Sequence, residues 1–281
     1  MTTSPLVSTQ WLEDNLKTPD VVVVDGSLFL PQMGRDAEAE YLEAHIPGAV
    51  RFDIEDISDP KSDLPHTLPE PHLFASKMRK LGIGDGQTIV VYDGIGLWSA
   101  PRVWWMFKVM GVKDVHVLNG GMPKWKAEGR PLEDGPVRRP ERHFTARLNR
   151  GAVTSFDSLR KIIASGDRQI VDARSSERFS GSVPEPRPGM RSGHMPGAKN
   201  VPVMDLMRDD GSLKDETTLR AQFSEAGVDI SKPVTTTCGS GVTAAALTLA
   251  LTSLGATDLT LYDGSWSEWG SRQDTEVVAG S

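Results

Sequence analysis

The residue types most able to do chemistry lie in one short stretch, Cys238-Gly-Ser-Gly-Val-Thr243, which contains the only cysteine of the 281-residue chain. It follows the β-branched run Pro233–Thr237 and precedes an alanine- and leucine-rich run, Ala244–Leu254. A strand, a glycine-bearing loop and a helix is the pattern these runs predict. Such a loop turns several backbone N–H groups inward and aims the positive end of the helix at the same point, which stabilises an anion. A lone cysteine is by default a small buried hydrophobe. Here no acidic residue flanks the thiol, Gly239 and Gly241 let the amides converge, and a helix begins immediately afterwards, a setting that favours a reactive thiolate.

The elements that must position this loop appear twice. Val21-Val-Val-Val-Asp25 recurs as Ile170-Val-Asp172, and His45-Ile-Pro-Gly-Ala recurs as His194-Met-Pro-Gly-Ala. Thr88-Ile-Val-Val-Tyr-Asp93-Gly-Ile-Gly is matched by Val234-Thr-Thr-Thr-Cys238-Gly-Ser-Gly, and Leu118-Asn-Gly-Gly-Met-Pro-Lys-Trp125 by Tyr262-Asp-Gly-Ser-Trp-Ser-Glu-Trp269. Matches in constant order and at nearly constant offset indicate a tandem duplication. The apolar runs predict strands at 21–24, 89–92 and 115–118, then at 170–171, 234–237 and 259–262. Amphipathic periodicity predicts helices at 38–44, 70–81 and 99–109, then at 155–164, 216–226 and 242–254. Continuous apolar strands alternating with helices predict an α/β fold, each copy a parallel sheet with helices on both faces. The Pro-, Gly- and charge-rich sequence after Gly129 reads as a connection. The expected organisation is a first domain over residues 1–138, a linker over 139–152 and a second domain over 153–281. Asp93 takes the place of Cys238 in the first copy, so that copy is expected to be non-catalytic. Duplication of His45 and His194, and of Asp25 and Asp172, favours structural roles at turns for all four.

These motifs resemble the tandem-domain rhodanese superfamily, over nearly the whole chain from about Trp11 to Trp269. The loop Cys238-Gly-Ser-Gly-Val-Thr243 is similar to that of the 3-mercaptopyruvate sulfurtransferase subfamily, whereas thiosulfate-preferring rhodaneses usually carry basic residues directly after the cysteine. The resemblance implies a sulfurtransferase in which Cys238 takes sulfur from 3-mercaptopyruvate as a persulfide, pyruvate leaves, and a thiol acceptor such as thioredoxin, or cyanide, removes the sulfur. It implies substrate contacts from Arg178, Arg187 and the loop residues Gly239, Gly241, Val242 and Thr243, with Arg191 a nearby spare. It further implies a proton relay from Ser240 through His66 to Glu55, where some family members have aspartate. No metal or other cofactor is implied, and no metal-ligand spacing or phosphate-binding glycine pattern is present.

Three rival functions follow from the same residues. A thiosulfate:cyanide sulfurtransferase would want positive charge in the loop. A cysteine phosphatase would need arginine six residues after the cysteine, where this chain has Ala244. A non-catalytic persulfide carrier would need the cysteine alone. The net charge of −7, the pI near 5.4 and the lack of a basic block argue against nucleic acid and against anionic membrane surfaces. One cysteine rules out an internal disulfide and suits a reducing compartment. The first residues carry no secretory or transit pattern and no apolar run reaches the roughly 18 residues of a membrane span, so cytoplasm is the expected location.

Overall fold

The computed structural model describes residues 4–280, which divide into two compact units. Unit 1 comprises the chain up to Pro60, Leu68–Asn149 and Met207–Leu213; unit 2 comprises Lys61–Thr67, Arg150–Leu206 and Lys214 onward. Each unit therefore contains a short segment from the other half of the sequence.

Unit 1 is built from β1 (Leu6–Val7), α1 (Thr9–Asn15), β2 (Val21–Asp25), α2 (Ala37–Glu43), β3 (Val50–Arg51), α3 (Pro71–Lys80), β4 (Thr88–Tyr92), α4 (Ala100–Val109), β5 (Val115–Leu118) and α5 (Gly121–Ala127). Its five strands are paired in parallel in the order β1-β5-β4-β2-β3. Unit 2 repeats the series with β6 (Val153–Thr154), α6 (Phe156–Ser165), β7 (Gln169–Asp172), α7 (Ser176–Ser180), β8 (Ala198–Asn200), α8 (Glu216–Glu225), β9 (Val234–Thr237), α9 (Ala244–Ser253), β10 (Leu259–Tyr262) and α10 (Ser265–Trp269). Its parallel order, β6-β10-β9-β7-β8, is the same arrangement with every strand replaced by its repeat. The duplication read in the sequence is thus also a duplication of topology.

Strand β2 of unit 1 is apolar almost throughout because both faces are covered. All of Val21–Val24 is buried. Side chains alternate between faces, and Val21 and Val23 pack with Leu12, Tyr92 and Trp125 on one of them. Elsewhere in unit 1 the rings of Phe52, Phe74, Phe107 and Phe144 lie 5.5 to 6.3 Å apart. In unit 2, Leu159, Ile162, Ile170, Tyr262, Trp266 and Trp269 form the corresponding core, and α9 packs on β9 and β10. Helix starts fall at sequence-encoded caps: Asp36, Ser155 and Asp215 each accept a first-turn N–H. Among the described residues no helix is long and apolar enough to cross a membrane.

The 139–152 stretch, expected as a linker, is folded onto unit 1 as far as Asn149. Phe144 is buried, His143 carbonyl accepts from the Asp85 N–H at 2.9 Å, and the N–H groups of Arg147 and Asn149 donate to Met110 and Val109 at 2.8 Å each. A single aromatic anchor in a Pro- and Arg-rich stretch outweighs its linker-like composition. The short edge strands β1, β3, β6 and β8 and the helices α1, α5, α7 and α10 are additional to the expected elements.

Asp93, directly after β4, has an unusually complete set of partners. Its Oδ1 accepts from the N–H groups of Ile95 and Gly96 at 2.8 and 2.7 Å, and its Oδ2 from those of Trp98, Ser99 and Ala100 at 2.9, 2.8 and 2.7 Å. The carboxylate is buried and fills the amide loop that leads into α4. Removing it leaves several buried donors unsatisfied, each a substantial penalty. Asp93→Ala should therefore lower the unfolding free energy by about 3 kcal/mol or more in urea titrations; an unchanged midpoint would contradict this role.

Candidate active site

Cys238 occupies in unit 2 the position of Asp93 in unit 1, one residue beyond the central strand and ahead of the helix. It is 2 % exposed. Gly241 has φ +79°, a left-handed conformation that glycine adopts without penalty and that bends the loop. Val242 is buried, Thr243 is partly so, and α9 begins at Ala244. Both ends of the Cys238 peptide are held by the β10–α10 turn. Its N–H donates to Ser265 Oγ at 3.3 Å, and its carbonyl accepts from the Trp266 N–H at 2.9 Å. The Gly239 carbonyl accepts from Ser267 N–H and Oγ at 2.9 and 2.7 Å.

Three of the expected polar residues are brought to this loop within unit 2. Ser240 is buried, and its Oγ lies 2.9 Å from His66 Nδ1. His66 arrives on the segment Lys61–Thr67, which belongs to unit 2 although its sequence neighbours belong to unit 1. Arg178, on α7, is aimed at Gly239: a Cβ on that glycine would stand 3.1 Å from the guanidinium. Arg187 NH1 donates to Ser267 Oγ at 3.4 Å, so it too reaches the turn that holds the cysteine. Glu55 is an exposed residue of unit 1, its N–H donating to Asp53 at 2.9 Å. Arg191 is engaged elsewhere, donating to the carbonyls of Gly270, Trp269 and Thr275.

The structure also brings in residues that the sequence did not single out. Glu185, its side chain fully buried, accepts from Arg178 through Nε at 3.3 Å and NH2 at 2.5 Å, and from Arg174 NH1 at 2.8 Å. Arg174 is likewise buried, forks onto Asp172 and lies 4.3 Å from the Trp266 ring centre. Burial opposes the charge of Arg174, but Asp172 and Glu185 outweigh that and hold its pKa above the ordinary arginine value. Buried ions are stable when paired and hydrogen-bonded on all sides, as here. The available signal was Glu185 standing between two arginines of one loop, which composition cannot distinguish from solvent-exposed charge.

The duplicated histidines are structural. His45 Nδ1 and His194 Nδ1 lie 2.8 and 2.9 Å from the carbonyls of Tyr41 and Phe179, and each ring stacks on the aromatic ring of that same residue. Asp25 and Asp172 accept the N–H groups of Ser27 and Arg174, closing matched turns. The tryptophans at 125, 266 and 269 are core residues.

The model of the Rhodanese-like domain family matches residues 8–128 and again 155–272. The chain is 45 % identical over 278 residues to the 3-mercaptopyruvate sulfurtransferase of Escherichia coli K12, covering 99 % of each. It is 41 % identical over 279 residues to a thiosulfate sulfurtransferase of Bos taurus, covering 97 % of this chain and 94 % of that one. The crystal structure of SseA from Escherichia coli, with 43 % identity, covers 94 % of this chain and 99 % of its own with a TM-score of 0.87.

His66 has φ +61°. It lies five residues before α3, and at the same distance before α8 the repeat has Gly211, with φ +78°. A side chain in this backbone region costs about 1 kcal/mol relative to glycine. His66→Gly should therefore be more stable than His66→Ala by about 1 kcal/mol in thermal melts; equal midpoints would show that the backbone strain is not real.

Proposed function

The chain belongs to the rhodanese family, with one rhodanese-like domain in each half, and from that premise we propose that it moves the sulfur of 3-mercaptopyruvate through a Cys238 persulfide to a thiol or cyanide, releasing pyruvate. The observation that carries this reading is the equivalence of Cys238 and Asp93. In unit 1 the side chain at this position is an anion accepting five backbone N–H groups. The strand–loop–helix unit around Cys238 repeats this one with a loop one residue shorter, and there the anion would be the thiolate and then the persulfide.

The steps balance as follows. The Cys238 thiolate attacks the substrate sulfur, an S–S bond forms, and the C–S bond breaks with its electron pair passing to carbon as the pyruvate enolate. The proton lost by the substrate thiol is the one the enolate gains. Ser240, hydrogen-bonded to His66, would relay it. The acceptor thiolate or cyanide then attacks the outer sulfur and restores the Cys238 thiolate. Reduced thioredoxin is a suitable acceptor by chemistry, and the single cysteine suits a reducing compartment such as the cytoplasm.

Donor choice rests on charge. Positions 239–243 are Gly, Ser, Gly, Val and Thr, so the loop brings no cation to a doubly charged donor such as thiosulfate. Arg187 and the outer edge of Arg178 suit the single carboxylate and keto oxygen of an α-keto acid. The inner edge of Arg178 is already engaged by Glu185. The second reading, a thiosulfate:cyanide sulfurtransferase, retains support from the similarity to the bovine enzyme. A persulfide carrier without turnover is a weaker reading, since it leaves the arginines without a purpose.

Pyruvate release from 3-mercaptopyruvate should exceed thiocyanate formation from thiosulfate and cyanide; a clear preference for thiosulfate overturns the donor assignment. Cys238→Ser should abolish pyruvate release. Arg187→Ala should raise KM about tenfold or more, as loss of a charged hydrogen bond implies, with a smaller effect on kcat. An unchanged KM removes Arg187 from the site.

A further inference from the structure

Among the described residues only two that are not glycine have positive φ, His66 at 61° and Ser265 at 50°. Both touch the cysteine loop, His66 through Ser240 and Ser265 through the Cys238 N–H. Strain retained at two separate points against one loop is grounds for seeking a function there. His66 already has a part in the proposed proton relay. Ser265 has none, and it was not singled out by sequence.

The repeat supplies an internal control. Ser265 is the third residue after β10, and the third residue after β5 is Gly121, also left-handed with φ +53°. A Cβ on Gly121 would come within 2.6 Å of the Asp93 carbonyl, so unit 1 has no room for a side chain there. Unit 2 is arranged to admit one. The Ser265 hydroxyl is fully buried, donates to the Tyr262 carbonyl at 2.9 Å, accepts from the Cys238 N–H at 3.3 Å, and lies 3.4 Å from Thr237 Oγ1. The backbone part of the contact is common to both units: Met122 N–H donates to the Asp93 carbonyl at 3.0 Å, as Trp266 N–H does to Cys238 at 2.9 Å. What differs is the hydroxyl, present only where the residue after the strand is a cysteine.

We propose that Ser265 is a positioning residue for sulfur transfer. Its hydroxyl takes up the N–H of Cys238 itself and ties that residue to the end of β10. This fixes the Cα–Cβ direction of the nucleophile, so that its sulfur faces the amides of residues further along the loop. An aspartate needs no such tie, because its two oxygens and five hydrogen bonds orient it. A thiolate has one atom and weak, poorly directional hydrogen bonds, so its orientation must come from the backbone that carries it. Ser267 is the neighbouring arm, linking the Gly239 carbonyl to Arg187. It serves as a comparison, since its loss should act on substrate binding.

The proposal rests on Cys238 being the sulfur nucleophile, and the test separates the two. Ser265→Gly takes the residue that unit 1 uses, relieving the backbone strain while deleting the hydroxyl. These effects offset, so the thermal midpoint should stay within about 4 °C of the parent. The kcat for pyruvate release should fall by about tenfold or more with KM nearly unchanged, as for a misplaced nucleophile. Ser267→Ala should instead raise KM. Iodoacetamide reports on the only thiol of the chain without any assumption about substrate. Its rate at pH 7, relative to the plateau at high pH, should fall in Ser265→Gly. Parental kcat or a parental alkylation profile in Ser265→Gly overturns the proposal. A large drop in midpoint that accompanies the loss of activity also overturns it, assigning Ser265 to the fold. If the parent itself releases no pyruvate, the functional reading fails, and the alkylation comparison still decides the role of Ser265.

Discussion

A loop that leads from a parallel strand into a helix gathers backbone N–H groups that the helix cannot satisfy, and an anion is well suited to meet them. The rest of this chain is arranged around that constraint, answered twice. In unit 1 a carboxylate attached to the loop answers it: Asp93 accepts five N–H groups and leaves nothing for a ligand to do. In unit 2 the same position is a thiol, and under the proposed function the anion it becomes is the reactive species itself. The change from aspartate to cysteine thus separates a closed structural staple from the loop that the proposed function uses. The matched strand orders of the two sheets show that the surrounding scaffold was kept.

Around the cysteine loop, charge is placed with economy. Asp172, Arg174, Glu185 and Arg178 form a chain of alternating sign, of which only Arg178 reaches toward Gly239 and retains exposure, at 25 % of its side chain. Glu185 holds one edge of that guanidinium, which fixes its direction and moderates its charge. Under the proposed function this accounts for selectivity: a neutral loop holds the sulfur, and a restrained arginine with Arg187 meets the carboxylate. Pairing is also what makes a buried Arg174 tolerable.

The parts of the fold legible in sequence were those with strong periodicity or exact repetition. Val21–Val24 and Val234–Thr237 could be read as strands because both faces are buried, and α3, α4, α6, α8 and α9 were located within a residue or two. Two-residue edge strands carry no period, and residues 139–149 have linker composition although Phe144 seats them in unit 1. At the site, Cys238, Ser240, His66, Arg178 and Arg187 were named from motifs and resemblance, and the structure groups them in unit 2. Glu185 and Ser265 were illegible for different reasons. A glutamate in a charged loop reads as solvated until its burial is known. Ser265 differs from its repeat-mate by one hydroxymethyl group, and its meaning lies in a backbone angle that sequence does not state.

The most direct measurement is intact-protein and peptide mass spectrometry after brief treatment with 3-mercaptopyruvate and removal of excess donor. The account predicts a gain of one sulfur, mapped to the peptide containing Cys238 and lost on addition of a thiol acceptor. An unmodified Cys238 in protein that nevertheless releases pyruvate would contradict it.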